Sequence, residues 1–406
     1  MAIEFSMIQT IGFAVVLLVI GRWLRNNVAF FERFAIPAPV IGGFLFALFN
    51  LVFKLTGWVD ITFDTTLQGF FMTMFFTSVG FGASVAVLGK AGKMVTRFLL
   101  VASVLVVLQN VLAVVLAPIV DIPSALALMT GSVSMTGGHG VSGGMAPLVE
   151  AQGVDRAETV AYTAATFGLL MGSLMGGPMG DRLIKNNRLQ STVSSEAGVD
   201  DSLIALRRRE LRGDQIMQAF IVLLIAMFVG TYITDGINWV ISQFTDKAAF
   251  PNYLGAMLVG ILFRYISDTR NERQYHEFVP TQEVEIIGNV ALALFLAQAL
   301  MTIKLWELAD LAVPLLVLLA AQTLLMFLFA YFITFRVMGR DYDAAILSAG
   351  HCGFGMGATP NGVANMESVV QKYSPSKLAF FVLPIIGGMF IDFVNILVVT
   401  VFLNVV

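Results

Sequence analysis

The stretch Thr130-Gly131-Ser132-Val133-Ser134-Met135-Thr136-Gly137-Gly138-His139-Gly140-Val141-Ser142-Gly143-Gly144 decides how this chain is read. Six glycines alternate with hydroxyl side chains just after the helix-like run Ser124–Met129. The segment 124–150 is too interrupted for a plain membrane span and too apolar for a surface loop. It predicts a re-entrant hairpin, because non-helical backbone at membrane depth must be satisfied by protein or cavity water. Glycine lets such a backbone unwind and lets a ligand approach closely. The N–H groups freed at the following helix start suit an anion. Packing through small residues explains spaced glycines, but less readily the cluster Gly137-Gly138-His139-Gly140 at a break. A second segment, 344–371, carries Gly350-His351-Cys352-Gly353-Phe354-Gly355-Met356-Gly357-Ala358-Thr359-Pro360-Asn361-Gly362 and predicts a second hairpin. Pro360 suits the first turn of a new helix, which makes Thr359 its expected N-cap.

The chain around these segments is built for lipid. Of 406 residues, 57% are hydrophobic and 13% charged, and the mean hydropathy is +0.83. A helix crosses a bilayer with roughly 20 apolar residues. Ten stretches qualify, at 5–22, 37–54, 68–89, 98–120, 159–181, 215–235, 251–267, 285–303, 312–335 and 378–404. The seventh is the weakest, because Arg264 interrupts it. The first lacks a basic leader region and ends at Arg22, so it reads as a span rather than a cleaved signal. A single cysteine excludes a disulfide scaffold, a cysteine zinc site and an iron–sulfur centre. A net charge of −3 leaves no basic footprint for nucleic acid. If the N-terminus starts outside, alternate loops place 20 of the 24 Lys and Arg inside, which predicts both termini outside.

The chain also repeats itself. Gln109 matches Gln322, the glycine run from Gly131 matches that from Gly350, and Gly176-Gly177-Pro178-Met179-Gly180-Asp181 matches Gly387-Gly388-Met389-Phe390-Ile391-Asp392. Residues 1–185 and 215–406 form the halves, each with five spans and one hairpin. Residues 186–214, with ten charges of balanced sign, form a cytoplasmic linker. Arg207–Arg209 in it reads as a stop-transfer flank, with contact to anionic lipid as the alternative. Five is odd, so the second half enters the membrane inverted. The expected fold is therefore an all-α polytopic membrane protein: an inverted repeat of 5+5 transmembrane helices, each half with one re-entrant glycine-rich hairpin. Inverted repeats of this kind are a mark of secondary transporters.

Opposed helix starts at two hairpin tips suit a dicarboxylate or other dianion, and no Lys or Arg lies deep in a span. Asp392 is the charged residue in the middle of a clear span, and Asn395 follows one turn later on the same face. A carboxylate, an amide oxygen and loop carbonyls form an all-oxygen set for a small cation such as Na⁺. Asp181 is the repeat mate of Asp392 but sits beside Arg182, where an interfacial ion pair is equally expected. His139 reads as a substrate contact, a proton relay or a structural histidine. Cys352 reads as packing. Gln109, Asn110 and Gln322 read as helix–helix contacts. An enzyme is not expected: His139 with Ser134 or Ser142 has no third partner.

With Gly137-Gly138-His139-Gly140, the run Cys352–Pro360, Ala364-Asn365-Met366 and Phe390-Ile391-Asp392, the whole chain resembles the bacterial glutamate:sodium symporters. The resemblance implies Na⁺-driven uptake of glutamate across the bacterial inner membrane. It implies kinship with the citrate-type carriers, and with it a homodimer and an elevator motion. Both termini would then be periplasmic. Carried over to this chain, the substrate contacts are Ser134, Thr136, Gly137, Gly138, His139, Gly140, Gly357, Ala358, Thr359 and Asn361, and the Na⁺ residues are Asp392, Asn395 and Asp181. No cofactor other than the coupling ion is implied. The rival expectations are a cation/proton antiporter and a Na⁺ symporter of another dicarboxylate.

Overall fold

The computed structural model describes residues 2–33, 36–57, 59–84, 92–189, 211–243, 251–271 and 279–406. In chain order its elements are β1 (Ala2–Phe5), α1 (Met7–Asn27), α2 (Ala29–Arg33), α3 (Ala38–Thr56), β2 (Asp60–Phe63), α4 (Thr66–Gly82) and α5 (Gly92–Leu116). There follow α6 (Ser124–Leu128), α7 (Gly138–Ala151), α8 (Ala157–Asn187), α9 (Gly213–Ser242), α10 (Asn252–Asn271) and α11 (Thr281–Met301). A 3-10 turn, Leu305–Leu311, leads into α12 (Ala312–Leu328), which runs on through a π turn at Phe329–Thr334. The chain ends with α13 (Tyr342–Phe354), α14 (Thr359–Val370), α15 (Lys377–Ile385), a π turn at Ile386–Phe390 and α16 (Ile391–Leu403).

Among the described residues, seven helices are long and apolar enough to cross a membrane. An eighth span arises if the two arms meeting at a 43° bend, Leu378–Gly388 and Ile391–Leu403, are taken as one. Two of the ten expected stretches fall short. The helix α4 has 17 described residues, and the end of the stretch 68–89 lies outside the described residues. The helix α10 carries Arg264 and Asp268, paired at 2.8 Å one turn apart, which dilutes its apolar character. Most of the expected linker, residues 190–210, also lies outside the described residues.

Two compact units share the chain. The first holds Met1–Gly82, His139–Thr163 and Asp214–Leu316; the second holds Ala83–Gly138, Ala164–Gly213 and Val317–Val406. Each draws on both halves of the sequence.

The first unit packs α1, α3, α4, α10 and α11 against one another. Glycine sets the closest crossings: a methyl group at Gly42 would overlap the Leu17 carbonyl, and one at Gly80 would overlap that of Met257. Aromatic rings fill the wider gaps. Phe76 stacks on Tyr253 at 4.2 Å, and the Tyr253 hydroxyl reaches Met145 Sδ at 3.0 Å. Pro37 opens α3, and Gly57, in the left-handed region at φ 68°, ends it. The helix α9 keeps Ile216, Met217, Phe220, Phe228 and Tyr232 on its surface.

The second unit is built around α8. Its glycines Gly168, Gly172, Gly176 and Gly180 recur every four residues on one face. They lie against Met356, Cys352, Asn365 with Ala349, and Val369 with Ala349. Bare backbone there lets α13 and α14 come close enough for Asn365 Nδ2 to donate to the Gly172 carbonyl at 2.9 Å.

Candidate functional site

The site lies in the second unit, where the two glycine-rich segments each break a helix. In the first segment α6 ends at Leu128, residues 129–137 turn irregularly, and α7 starts at Gly138. In the second, α13 stops at Phe354 and α14 restarts at Thr359. The cap of that restart is Ala358, extended at φ −161° and ψ 160°, not Thr359 as expected. Pro360 occupies the first turn, where its missing N–H costs nothing. The shift of one residue follows from Ala358 having the extended backbone of an N-cap, while its carbonyl accepts from the Gly362 N–H at 3.2 Å.

The two breaks meet. Gly138 has φ 56°, a conformation that favours glycine, and a methyl group on it would run into the Gly357 carbonyl. The Gln109 side chain joins the same two breaks. Its Nε2 donates to the Gly355 carbonyl at 2.8 Å, and its Oε1 accepts from Thr136 Oγ1 at 2.7 Å. The Gln109 backbone carbonyl accepts in turn from Gln322 Nε2 at 2.8 Å. The two matched glutamines of the repeat thus touch, and both are fully buried.

The expected substrate contacts divide by accessibility and by partner. Ser134 is buried and donates to the Met129 carbonyl. Thr136 is buried and held by Gln109. Asn361 is buried, and its Nδ2 donates to the Leu169 carbonyl at 3.1 Å and to Ser173 Oγ at 3.0 Å. Gly137, Ala358 and Thr359 retain some exposure, and Pro360 is exposed. Gly138 and Gly357 form the contact between the breaks. His139 and Gly140 belong to the first unit. There His139 is nearly buried with its ring parallel to Tyr162, centroids 6.4 Å apart, and Gly140 faces the Phe75 ring.

The expected ion residues separate as well. Asn395 is fully buried on α16, and its Nδ2 donates to the Ser132 carbonyl at 3.0 Å. Asp392 is partly buried one turn earlier on the same helix, and no described residue pairs with its carboxylate. Asp181 is elsewhere in the unit and already occupied. Its carboxylate accepts from Lys185 at 2.7 Å and from the Tyr373 hydroxyl at 2.6 Å, and it also pairs with Lys372. An ion pair is thus present at Asp181, with two ammonium groups on its carboxylate oxygens. The same carboxylate raises the Tyr373 phenol above its ordinary pKa.

The sequence reading assigns Gln109 and Asn110 a helix–helix role and does not single out Ser132, and the structure puts all three at the centre. Gln109 bridges the breaks. Asn110 Oδ1 accepts the Ser132 N–H at 3.0 Å, and Ser132 lies between Asn110 and Asn395. The available signal was an adjacent Gln-Asn pair inside an otherwise apolar span. His351 is buried with Nδ1 2.9 Å from Thr334 Oγ1, its ring between those of Phe98 and Phe354. Cys352 is buried against Met179. Among the described residues, no group of three His, Cys, Asp or Glu could hold a metal ion. Neutral oxygens therefore dominate the buried polar set.

Residues 3–375 match the family model of the sodium/glutamate symporters. The chain is 37% identical over 400 residues to a sodium/glutamate symporter of Escherichia coli K12, covering 98% of this chain and 97% of the relative. It is 35% identical to a sodium/glutamate symporter of Haemophilus influenzae, covering 97% and 96%. A solved sodium proton antiporter of Methanocaldococcus jannaschii aligns over 98% of each chain at 14% identity and a TM-score of 0.40. The chain belongs to the sodium/glutamate symporter family.

Proposed function

We propose that this protein is a secondary active transporter that carries L-glutamate into the cell together with Na⁺, by alternating access. Membership of the family supports the activity. The observation that carries the mechanism is the meeting of the two breaks at Gly138, Gly357 and Gln109. Two re-entrant hairpins, one from each half of a 5+5 inverted repeat, account for that meeting. The halves are residues 1–185 and 215–406, joined by the linker 186–214.

Glutamate presents two carboxylates. The N–H groups and hydroxyls of Ser134, Thr136, Gly137 to Gly140, Gly357, Ala358, Thr359 and Asn361 are the proposed contacts. Thr359 is partly exposed, and no described residue bonds its hydroxyl, so that hydroxyl is ready for a ligand. Na⁺ is placed at Asp392 and Asn395. An unpaired carboxylate within a span is expensive unless a cation joins it. Asp181 is left out of the ion set because two lysines and Tyr373 already fill it. Each positive charge moved inward gains about 2.3 kcal/mol per 100 mV, so coupling to Na⁺ supports a steep glutamate gradient.

The elevator motion would carry a hairpin-bearing body past a scaffold built from spans such as the second and seventh. A homodimer in the bacterial inner membrane with periplasmic termini completes the reading. Uptake of radiolabelled L-glutamate into proteoliposomes tests it, with an inward Na⁺ gradient or K⁺ in its place. Accumulation should require Na⁺ and fail in Asp392→Asn. Accumulation that survives in the variant moves the ion site away from Asp392. No Na⁺-dependent uptake by the well-folded protein refutes the symport.

A further inference from the structure

The buried polar atoms of the second unit do not balance. Gln322, Asn361 and Asn395 each spend their NH₂ group on a backbone carbonyl. Each leaves its amide oxygen buried and without a partner among the described residues. Flipping any of these amides would set oxygen against oxygen, so the hydrogen bonds fix their orientation. The Ser132 hydroxyl is open in the same way. These four buried oxygens have no hydrogen-bond partner among the described residues, where buried polar groups usually find one.

Two of the four come together at one residue. The Ser132 N–H goes to Asn110 Oδ1 at 3.0 Å. The Ser132 carbonyl accepts twice, from the Gly137 N–H at 2.9 Å and from Asn395 Nδ2 at 3.0 Å, which uses both of its lone pairs. Ser132 Oγ and Asn395 Oδ1 thus stay open on two fully buried residues that the Asn395 Nδ2 bond to the Ser132 carbonyl holds together. Their neighbourhood has no room for a side chain at residue 131: a methyl group on Gly131 would lie 2.7 Å from Asn110 Oδ1. A buried pair of open oxygens in a tight setting calls for a small cation.

We propose that Ser132 Oγ and Asn395 Oδ1 are ligands of the coupling cation, and that Asn110 is a positioning residue that fixes the Ser132 backbone. The proposal rests on the symport reading above and adds to it a ligand from the first break. Binding of the cation would then tie that break to α16, one turn from Asp392. The set is neutral apart from Asp392, so it suits a monovalent ion. Ca²⁺ and Mg²⁺ are held by more carboxylate charge than this. Asn110 Nδ2 is also buried and open, but as a donor it takes no part in holding a cation.

The test uses the full-length protein purified in detergent and without glutamate. Its unfolding temperature is measured in NaCl and in choline chloride at equal ionic strength, then in CaCl₂. Na⁺ should raise it specifically, because a ion that binds only the folded state stabilises it. Ser132→Ala should lose most of that rise. In proteoliposomes the same variant should need about tenfold more Na⁺ for half-maximal uptake, the effect of losing one buried polar contact. Its glutamate requirement at saturating Na⁺ should stay the same. Should Ser132→Ala misfold, Ser132→Cys takes its place: it keeps the size of the side chain but offers a soft sulfur to a hard ion, and should lose most of the same rise.

An unchanged Na⁺ requirement in folded Ser132→Ala overturns the proposal, as does Ser132→Cys that keeps the full rise in Na⁺. Uptake that stays Na⁺-dependent while Na⁺ leaves the unfolding temperature of the parent unmoved also overturns it, and leaves the open oxygens to water. Uptake by the parent that ignores Na⁺ refutes the symport reading itself, which separates the two failures.

Discussion

The two glycine-rich breaks use similar residues and are held by opposite means. The first is clamped from outside. Side chains of α5 and α16 reach onto its backbone and hydroxyls: Asn110 and Asn395 take Ser132, and Gln109 takes Thr136. The second is held largely from within. Its own asparagines, Asn361 and Asn365, reach out to carbonyls of α8, and its helices rest on the α8 glycines. The first therefore depends on polar groups being present, and the second on methyl groups being absent. A clamp made of hydrogen bonds can be released one bond at a time. A glycine seam is either closed or disrupted. The first break is accordingly the natural place for an ion to act, and the second the natural fixed wall.

The largest effect should come where both constraints fall on one residue. Gly138→Ala forces a left-handed backbone on an alanine, at roughly 1–2 kcal/mol. It also drives a methyl group into the Gly357 carbonyl, an overpacking cost of about 1–3 kcal/mol. Loss of uptake and a clear drop in unfolding temperature are expected. Gly69→Ala, where the new methyl group meets nothing within 4 Å, should be indistinguishable from the parent. Equal tolerance at both positions would mean that the breaks do not meet as described.

Gln109→Ala should come next. It strips a partner from the Thr136 hydroxyl and from the Gly355 carbonyl at once. Each buried group left unpaired costs about 1–3 kcal/mol, although hydrogen bonds between membrane helices average nearer 0.6 kcal/mol. Asn365→Ala disturbs only the second break, through the Gly172 and Ala349 carbonyls, and should lower the unfolding temperature by less. Thermal unfolding of the two variants side by side checks the order. The reverse order would place the stronger support on the second break.

Much of this was legible in the residues. The glycine runs marked both breaks: Gly138 takes a left-handed backbone, and a methyl group on Gly353 would run into the Asn361 backbone. Apolar length alone marked most of α8 as a span. Pro360 located the restart of α14 to within a residue. What stayed hidden depends on partners far away in sequence. Gln109 and Gly355 are 246 positions apart, and Asn395 and Ser132 are 263 apart. Nothing local distinguishes an amide that bridges two breaks from one that joins two helices. The composition of the two units was hidden for the same reason: each takes segments from both halves. Asp181 shows the limit of the repeat itself, since its match to Asp392 in sequence does not extend to its surroundings.

That pair gives the smallest and sharpest test. Asp181 and Asp392 occupy equivalent places in the two Gly-Gly-x-x-x-Asp motifs, yet one holds two lysines and a tyrosine while no described residue pairs with the other. The lysines on Asp181 are more than half exposed. Ion pairs between such groups are screened by water and salt and contribute little. Asp181→Asn keeps a side chain of the same shape that still accepts from Tyr373. Its unfolding temperature should be close to that of the parent, and the Na⁺ concentration for half-maximal uptake should not change. A raised Na⁺ requirement in Asp181→Asn would make both aspartates ion residues and restore the symmetry that their surroundings deny. An unchanged one, beside the failure expected of Asp392→Asn, would mean that the repeat has kept the motif in both halves and the ion in one.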